Sequence, residues 1–96
     1  WPAKVRAIYY DMLNDLNLDP DSVPLLAGEV VNADQKGACA SMNPIIDSLP
    51  QVIPNSFVVS SSGLSSNQMD HLHFVAPGYR EFGKRYAAKM LQFLKK

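Results

Sequence analysis

Apolar residues fall along this chain as helical stripes near both ends and as two short unbroken runs between them. Val5, Ile8, Tyr9, Met12, Leu13 and Leu16 recur at spacings of three and four, the stripe of an amphipathic helix with about 3.6 residues per turn. Asn17 to Pro20 predicts its end, because proline lacks an amide donor and restricts the residue before it. Val23-Pro24-Leu25-Leu26-Ala27-Gly28 is apolar without alternation, the pattern of a strand buried on both faces, as in a parallel sheet. Pro24 suits its start, where a ladder donor is least missed. A loop over 31–41 leads to a short helix over Pro44–Leu49, with Asn43 as N-cap and Pro44 at the first helical position. Ser56-Phe57-Val58-Val59 predicts a second strand. A polar stretch from Ser60 then leads to a last helix starting near Pro77. Its apolar face is Tyr79, Phe82, Tyr86, Met90, Phe93 and Leu94, with Gly83 and Ala87 allowing close packing.

Helix, strand, helix, strand, helix is the order of βαβ units around a parallel sheet, an α/β fold class. Two strands of this central type leave edges whose amides and carbonyls need partners. Residues 1–96 are therefore expected to form a single partial domain, completed by a missing N-terminal segment or a partner chain.

Composition narrows the classes of function. Apolar residues make up 47% of the 96 and charged residues 19%, an ordinary globular balance. Nine basic and nine acidic residues cancel, which offers no argument for nucleic acid or an anionic membrane. No run approaches the roughly 18 apolar residues of a membrane span. The late basic residues Arg80, Lys84, Arg85, Lys89, Lys95 and Lys96 face only Glu81; they read as the solvated side of a helix whose C-terminal dipole they suit. Cys39 is alone, so it forms no disulfide within the chain and is expected to be a buried free thiol.

The chemistry concentrates in the loop from Ser60 to Ala76. Strand-to-helix connections usually take about two to six residues, and ligands of open α/β sheets bind where such loops leave the C-terminal ends of strands. Asp70 and His73 lie in this loop, three apart. A carboxylate on one imidazole nitrogen fixes the tautomer and leaves the other free to accept a proton from a hydroxyl nucleophile. A capping aspartate beside an exposed histidine is the plainer account of the same pair. Asp70, His71 and His73 also have the chemistry of metal ligands, but a closed site needs about four donors and no further histidine exists. Ser60-Ser61-Ser62-Gly63 does not make a nucleophile elbow, since a long loop follows and no glycine precedes the serines. Glu29 ends the first strand. It is placed either to orient His73 in the stead of Asp70 or to bond loop amides. Trp1, Tyr9 and Tyr10 have the chemistry of sugar-stacking platforms, although Tyr9 belongs to the packed stripe of the first helix.

The string Asp70-His71-Leu72-His73-Phe74, followed by Val75-Ala76-Pro77-Gly78-Tyr79 and Arg80-Glu81-Phe82-Gly83, resembles the last conserved block of the SGNH hydrolase superfamily. It is most similar to carbohydrate esterase family six and the sialate O-acetylesterase-like proteins. Leu25-Leu26-Ala27-Gly28-Glu29 and Asn43-Pro44-Ile45-Ile46 resemble upstream elements of the same esterases. His71 departs from the pattern, which has a small residue there, often glycine.

The resemblance implies the C-terminal portion of a three-layer α/β/α, flavodoxin-like SGNH fold with parallel strands. It implies a carbohydrate acetylesterase that hydrolyses O-acetyl esters on xylan or similar sugars. His73 would be its base and Asp70 the orienting acid. The family's serine nucleophile lies in a Gly-Gln-Ser-Asn-like turn that this chain lacks. No cofactor or metal is implied, and the location implied is secreted or periplasmic. The polar loop over 60–69 fits sugar esters better than fatty acyl chains. The alternative is a non-catalytic carbohydrate-associated or interaction segment of the same fold.

Overall fold

In the computed structural model, which describes residues 1–95, the chain forms α1 (Pro2–Asp15), β1 (Leu25–Gly28), α2 (Asn43–Asp47), β2 (Ser56–Val59) and α3 (Ala76–Leu94). Lys96, grouped above with the basic residues of the last helix, lies outside the described residues. Pro2 sits in the first turn of α1, where its missing N–H costs nothing. Two residues past the end of the helix, Asn17 takes the left-handed region at φ 55. The Leu18 amide then donates back to the Leu13 carbonyl at 2.8 Å, so an orphan carbonyl is satisfied before Pro20 is reached.

β1 and β2 pair in parallel, with Leu25 opposite Ser56 and Gly28 opposite Val59. The first strand begins at Leu25 rather than Val23. Pro24 has no donor for the ladder, the Val23 carbonyl is taken by the Tyr9 hydroxyl, and the first cross-strand bond runs from the Leu25 amide to Asn55 O at 2.9 Å. All four residues of β1 are only half-buried, not enclosed on both faces as its composition suggests, because β2 is its one neighbour among the described residues.

Side chains alternate across the pair and split the interior in two. On one face Leu25 and Ala27 meet Tyr9 and Leu13 of α1, together with Leu49 and Ile53. Leu49 and Ile53 are fully buried, each contributing about 1.5–3 kcal/mol by leaving water. On the other face Val59 packs with Phe82 of α3, and Val31, Leu64 and Phe74 complete that cluster. Helices thus cover both faces of a parallel pair, as the α/β reading expects. The close approach between α3 and the sheet occurs at Gly28, where a Cβ would lie 2.2 Å from the Tyr86 hydroxyl oxygen. Gly83, expected to serve that purpose, has nothing within 4 Å of such a Cβ, and Ala87 is exposed. Both sit on the solvent side of the helix.

α2 departs from its expected form. It ends at Asp47, and a separate 3-10 turn follows over Leu49–Gln51. Asn43 lies inside the helix and caps nothing. Its buried amide clamps the chain beyond β1 instead: Oδ1 accepts from the Val30 amide at 2.8 Å, while Nδ2 donates to Val30 O at 3.0 Å and to Asn32 Oδ1 at 2.9 Å. Cys39 is exposed rather than buried, since the segment from 33 to 42 runs over the surface as two 3-10 turns.

Asn43→Ala removes three bonds and leaves the Val30 amide without a partner. The expected loss is about 1–3 kcal/mol of unfolding free energy, read by urea denaturation followed by circular dichroism.

Candidate active site

Because β1 and β2 are parallel, the chain leaves both strands at the same edge of the sheet. The Glu29 amide still donates to Val59 O at 2.9 Å, so this edge is held to the last residue. Beyond β2 the chain makes a closed loop. Val75 N donates to Ser65 O at 3.1 Å, Ser66 and Phe74 form an antiparallel bridge, and Asn67 N donates to His73 O at 2.7 Å. These contacts bring residues 65–67 beside 73–75 and leave a short tip between them. Two side chains shape the tip by accepting from amides just ahead of them, as Asn and Asp do in turns. Asn67 Oδ1 accepts from Met69 N at 2.6 Å, and Asp70 Oδ1 accepts from Leu72 N at 2.9 Å and His73 N at 3.2 Å.

The turn leaves the second oxygen of Asp70 facing the ring of His73, with Oδ2 2.7 Å from Nδ1. With the Nδ1 proton donated to this carboxylate, the lone pair of the neutral ring sits on Nε2. Among the described residues Nε2 has no partner, and the His73 side chain is 63% exposed. Asp70 is held below the usual carboxylate range, first by the Leu72 amide, then by the His73 ring and the His73 amide. Its second oxygen is thus held as an acceptor for the ring. A carboxylate fixed to one imidazole nitrogen, with the other open, is the arrangement of a general base.

The structure brings Asp70, not Glu29, onto His73. Glu29 Oε1 accepts the Ser61 amide at 3.0 Å, the second of the two placements open from sequence. Glu29 also shares a hydrogen bond with Asp47 of α2, whose carboxyl is pushed up to about 6 by that bond first, then by partial desolvation and the charge of Glu29. Ser61 is buried and its hydroxyl donates to Val30 O at 2.7 Å, while Ser60 Oγ accepts from Ser62 N. Arg85 donates to the carbonyls of Ser60 at 3.0 Å and Ser62 at 2.8 Å. Among the described residues no serine hydroxyl bonds to His73, and this serine run is a structural turn.

His71 adopts φ 57, the left-handed region that favours glycine. Its carbonyl accepts from Ala38 N at 3.0 Å and its amide donates to Asn67 O at 3.2 Å. Its Nδ1 is buried without a partner. The ring does not join Asp70 and His73, and among the described residues no three His, Cys, Asp or Glu side chains converge as metal ligands. Tyr9 is a packing residue. Tyr10 stacks edge-on against it and lies under the Arg6 guanidinium, 4.9 Å from its carbon to the ring centre.

Two residues here escape sequence reasoning. Asp47 is an acid in a short helix with no motif around it. Asn67 does carry a signal: Asn67 and Asp70 repeat an Asx-turn residue across the tip.

A family model described as carbohydrate esterase, sialic acid-specific acetylesterase, matches residues 1–92. The matched span includes both strands, the closed loop and the Asp70–His73 pair. The chain belongs to this family of carbohydrate esterases, and its α/β elements and parallel pair are those of an SGNH-type acetylesterase segment. No solved structure matches the chain.

Two predictions follow from these environments. Asp47 holds its proton more tightly in the folded chain than its ordinary value of 3.8. Its contribution to stability is present below that value and is lost as pH rises through about 6. Thermal unfolding measured from pH 4 to 7 should show this decline, and Glu29→Gln should flatten it. At His71, glycine relieves the left-handed backbone and should hold or raise the denaturant midpoint. His71→Val should cost about 1–2 kcal/mol by the same measurement.

Proposed function

We propose that this chain supplies the base half of a serine carbohydrate acetylesterase, with His73 as general base and Asp70 as its orienting acid. The observation that carries the reading is the 2.7 Å contact from Asp70 to Nδ1 with Nε2 left open. In the reaction a serine hydroxyl gives its proton to His73 Nε2 as its oxygen attacks the acetyl carbonyl. The imidazolium so formed is stabilised by Asp70 through Nδ1–H. The tetrahedral intermediate collapses, the C–O bond to the sugar breaks, and His73 returns the proton to the departing sugar oxygen. Water then repeats the sequence on the acyl-enzyme, with His73 again as base.

The serine and the donors for the developing oxyanion come from a polypeptide segment outside these 96 residues. The substrate class is O-acetyl esters on sugars, with acetylated xylan and acetylated sialic acid as the two candidates. The family description names sialic acid. The exposed, polar surface of Ser60, Ser62, Ser65 and Gln68 suits hydroxylated substrates. A secreted or periplasmic location accords with such substrates.

Alone, the chain should not react with a fluorophosphonate, as read by intact mass, nor hydrolyse p-nitrophenyl acetate; labelling of one of its own serines would overturn the division of labour. In the enzyme assembled with the serine-bearing segment, His73→Ala and Asp70→Asn should each lower kcat on acetylated sugar by about 10³–10⁴. Glu29→Gln should stay within a few-fold. Full activity of Asp70→Asn would remove it from the mechanism.

A further inference from the structure

We propose that Lys36 is a specificity-determining residue of this site, an ammonium that binds the carboxylate of an acidic acetylated sugar and so favours acetylated sialic acid over acetylated xylan. The proposal rests on the esterase reading above and chooses between its two candidate substrates.

The sequence isolates this charge. Lys36 is the only lysine or arginine between Arg6 and Arg80. It lies in the connection from β1 to α2, which leaves the sheet at the same edge as the loop carrying Asp70 and His73. In an α/β sheet that edge is where ligands bind.

Backbone bonds then place it beside the His73 loop. The hydroxyl of the buried Ser66 donates to Gln35 O at 3.1 Å, and Ala38 N donates to His71 O at 3.0 Å. Lys36 is thus one residue from the first contact and two from the second, on a stretch laced to one limb of the closed loop and to its tip. Its own turn is fixed as well. Lys36 N donates to Ala33 O and Gly37 N to Asn32 O, each at 2.9 Å, and Asn32 is held in turn by Asn43. With φ 59 and ψ 34, Lys36 occupies the left-handed region, where glycine is favoured. What a lysine adds at such a point is its side chain.

The ammonium is not spent on the protein. Lys36 is exposed, and among the described residues it forms no ion pair, although Asp34 is exposed two residues earlier. The acids of this edge have other partners: Asp70 meets His73, and Asp47 and Glu29 meet each other. Arg85 reaches the same edge from α3, but its guanidinium is held by the Ser60 and Ser62 carbonyls and by Glu81. A lysine ammonium is a compact charge on a long flexible stem, suited to meet an anion bound beside His73. Of the two candidate substrates, sialic acid carries a carboxylate that is ionised at neutral pH, whereas the xylose units of xylan carry none. A cation at the rim of a site also draws an anionic substrate before it docks.

The test uses the complete enzyme, this chain with its serine-bearing segment in place. Acetate release is read from O-acetyl sialic acid, from its methyl ester, and from an O-acetyl methyl xyloside. The wild type should favour the free carboxylate over the ester and the xyloside, and added salt should narrow that preference. Lys36→Ala should cut the ratio of kcat/KM for the carboxylate over its ester by about five- to tenfold, through KM rather than kcat. Lys36→Arg should keep the ratio, and Lys36→Glu should lower it further. Equal treatment of acid and ester by the wild type, a Lys36→Ala loss shared equally by both, or a ratio that Lys36→Ala leaves alone would overturn the proposal. The two readings fail separately. Hydrolysis that needs His73 but is blind to Lys36 leaves the esterase standing and removes the subsite. If no acetate is released, saturation-transfer NMR with unacetylated sialic acid decides. Binding lost in Lys36→Ala then keeps the subsite and removes the esterase; no binding, or binding indifferent to Lys36, removes both.

Discussion

The parallel pairing of Leu25–Gly28 with Ser56–Val59 is the constraint on which the rest of the molecule depends. It sends Glu29 and Ser60 out of the sheet side by side, and every polar contact of the functional edge builds on that neighbourhood. Glu29 accepts the Ser61 amide, the Ser61 hydroxyl returns to Val30, and Asn43 grips Val30 from α2. These bonds cross more than ten residues of sequence each. They fix where the long loop starts, while Arg85 of α3 holds the Ser60 and Ser62 carbonyls from the other side.

Within that frame the Asp70–His73 contact is local. The two residues are three apart, and the carboxylate is aimed by amides of the same turn before it ever meets the ring. An ion pair this exposed adds little to stability. Its geometry is kept by backbone bonds rather than by the pair's own attraction. The left-handed His71 is part of the same construction. A non-glycine residue there costs about 1 kcal/mol, offset by the bonds its carbonyl and amide make to Ala38 and Asn67.

Three acids stand near this edge, and their surroundings divide the work among them. Asp70 sits among amide donors and an imidazole and stays ionised. Asp47 and Glu29 share a hydrogen bond, which pushes Asp47 up to about 6. Two carboxyls in contact favour sharing a proton, and below about pH 6 that proton links α2 to the end of β1, while Asp70 meets the His73 ring. Separation of carboxyl roles by environment is a general device of hydrolytic sites.

Features that depend on neighbours along the chain were legible in the sequence. The stripe of α1, the order of helices and strands, and the meeting of Asp70 with His73 all follow from local periodicity and turn chemistry, which act over a few residues. Features that depend on what arrives from elsewhere were decided only by the tertiary structure. Asn43 has the composition of a cap, yet Val30 comes within reach and takes its amide. Gly28 rather than Gly83 receives the close contact, because the rotation of α3 about its axis is set by Phe82 and Tyr86 against the sheet. Cys39 lies in a loop whose burial no spacing encodes. On paper Asp70 was the first partner for His73 and Glu29 the second. The pairing register carried Glu29 to Ser61 and Asp47, and a three-residue turn carried Asp70 to the ring, because a short loop closes at lower entropic cost than a long one.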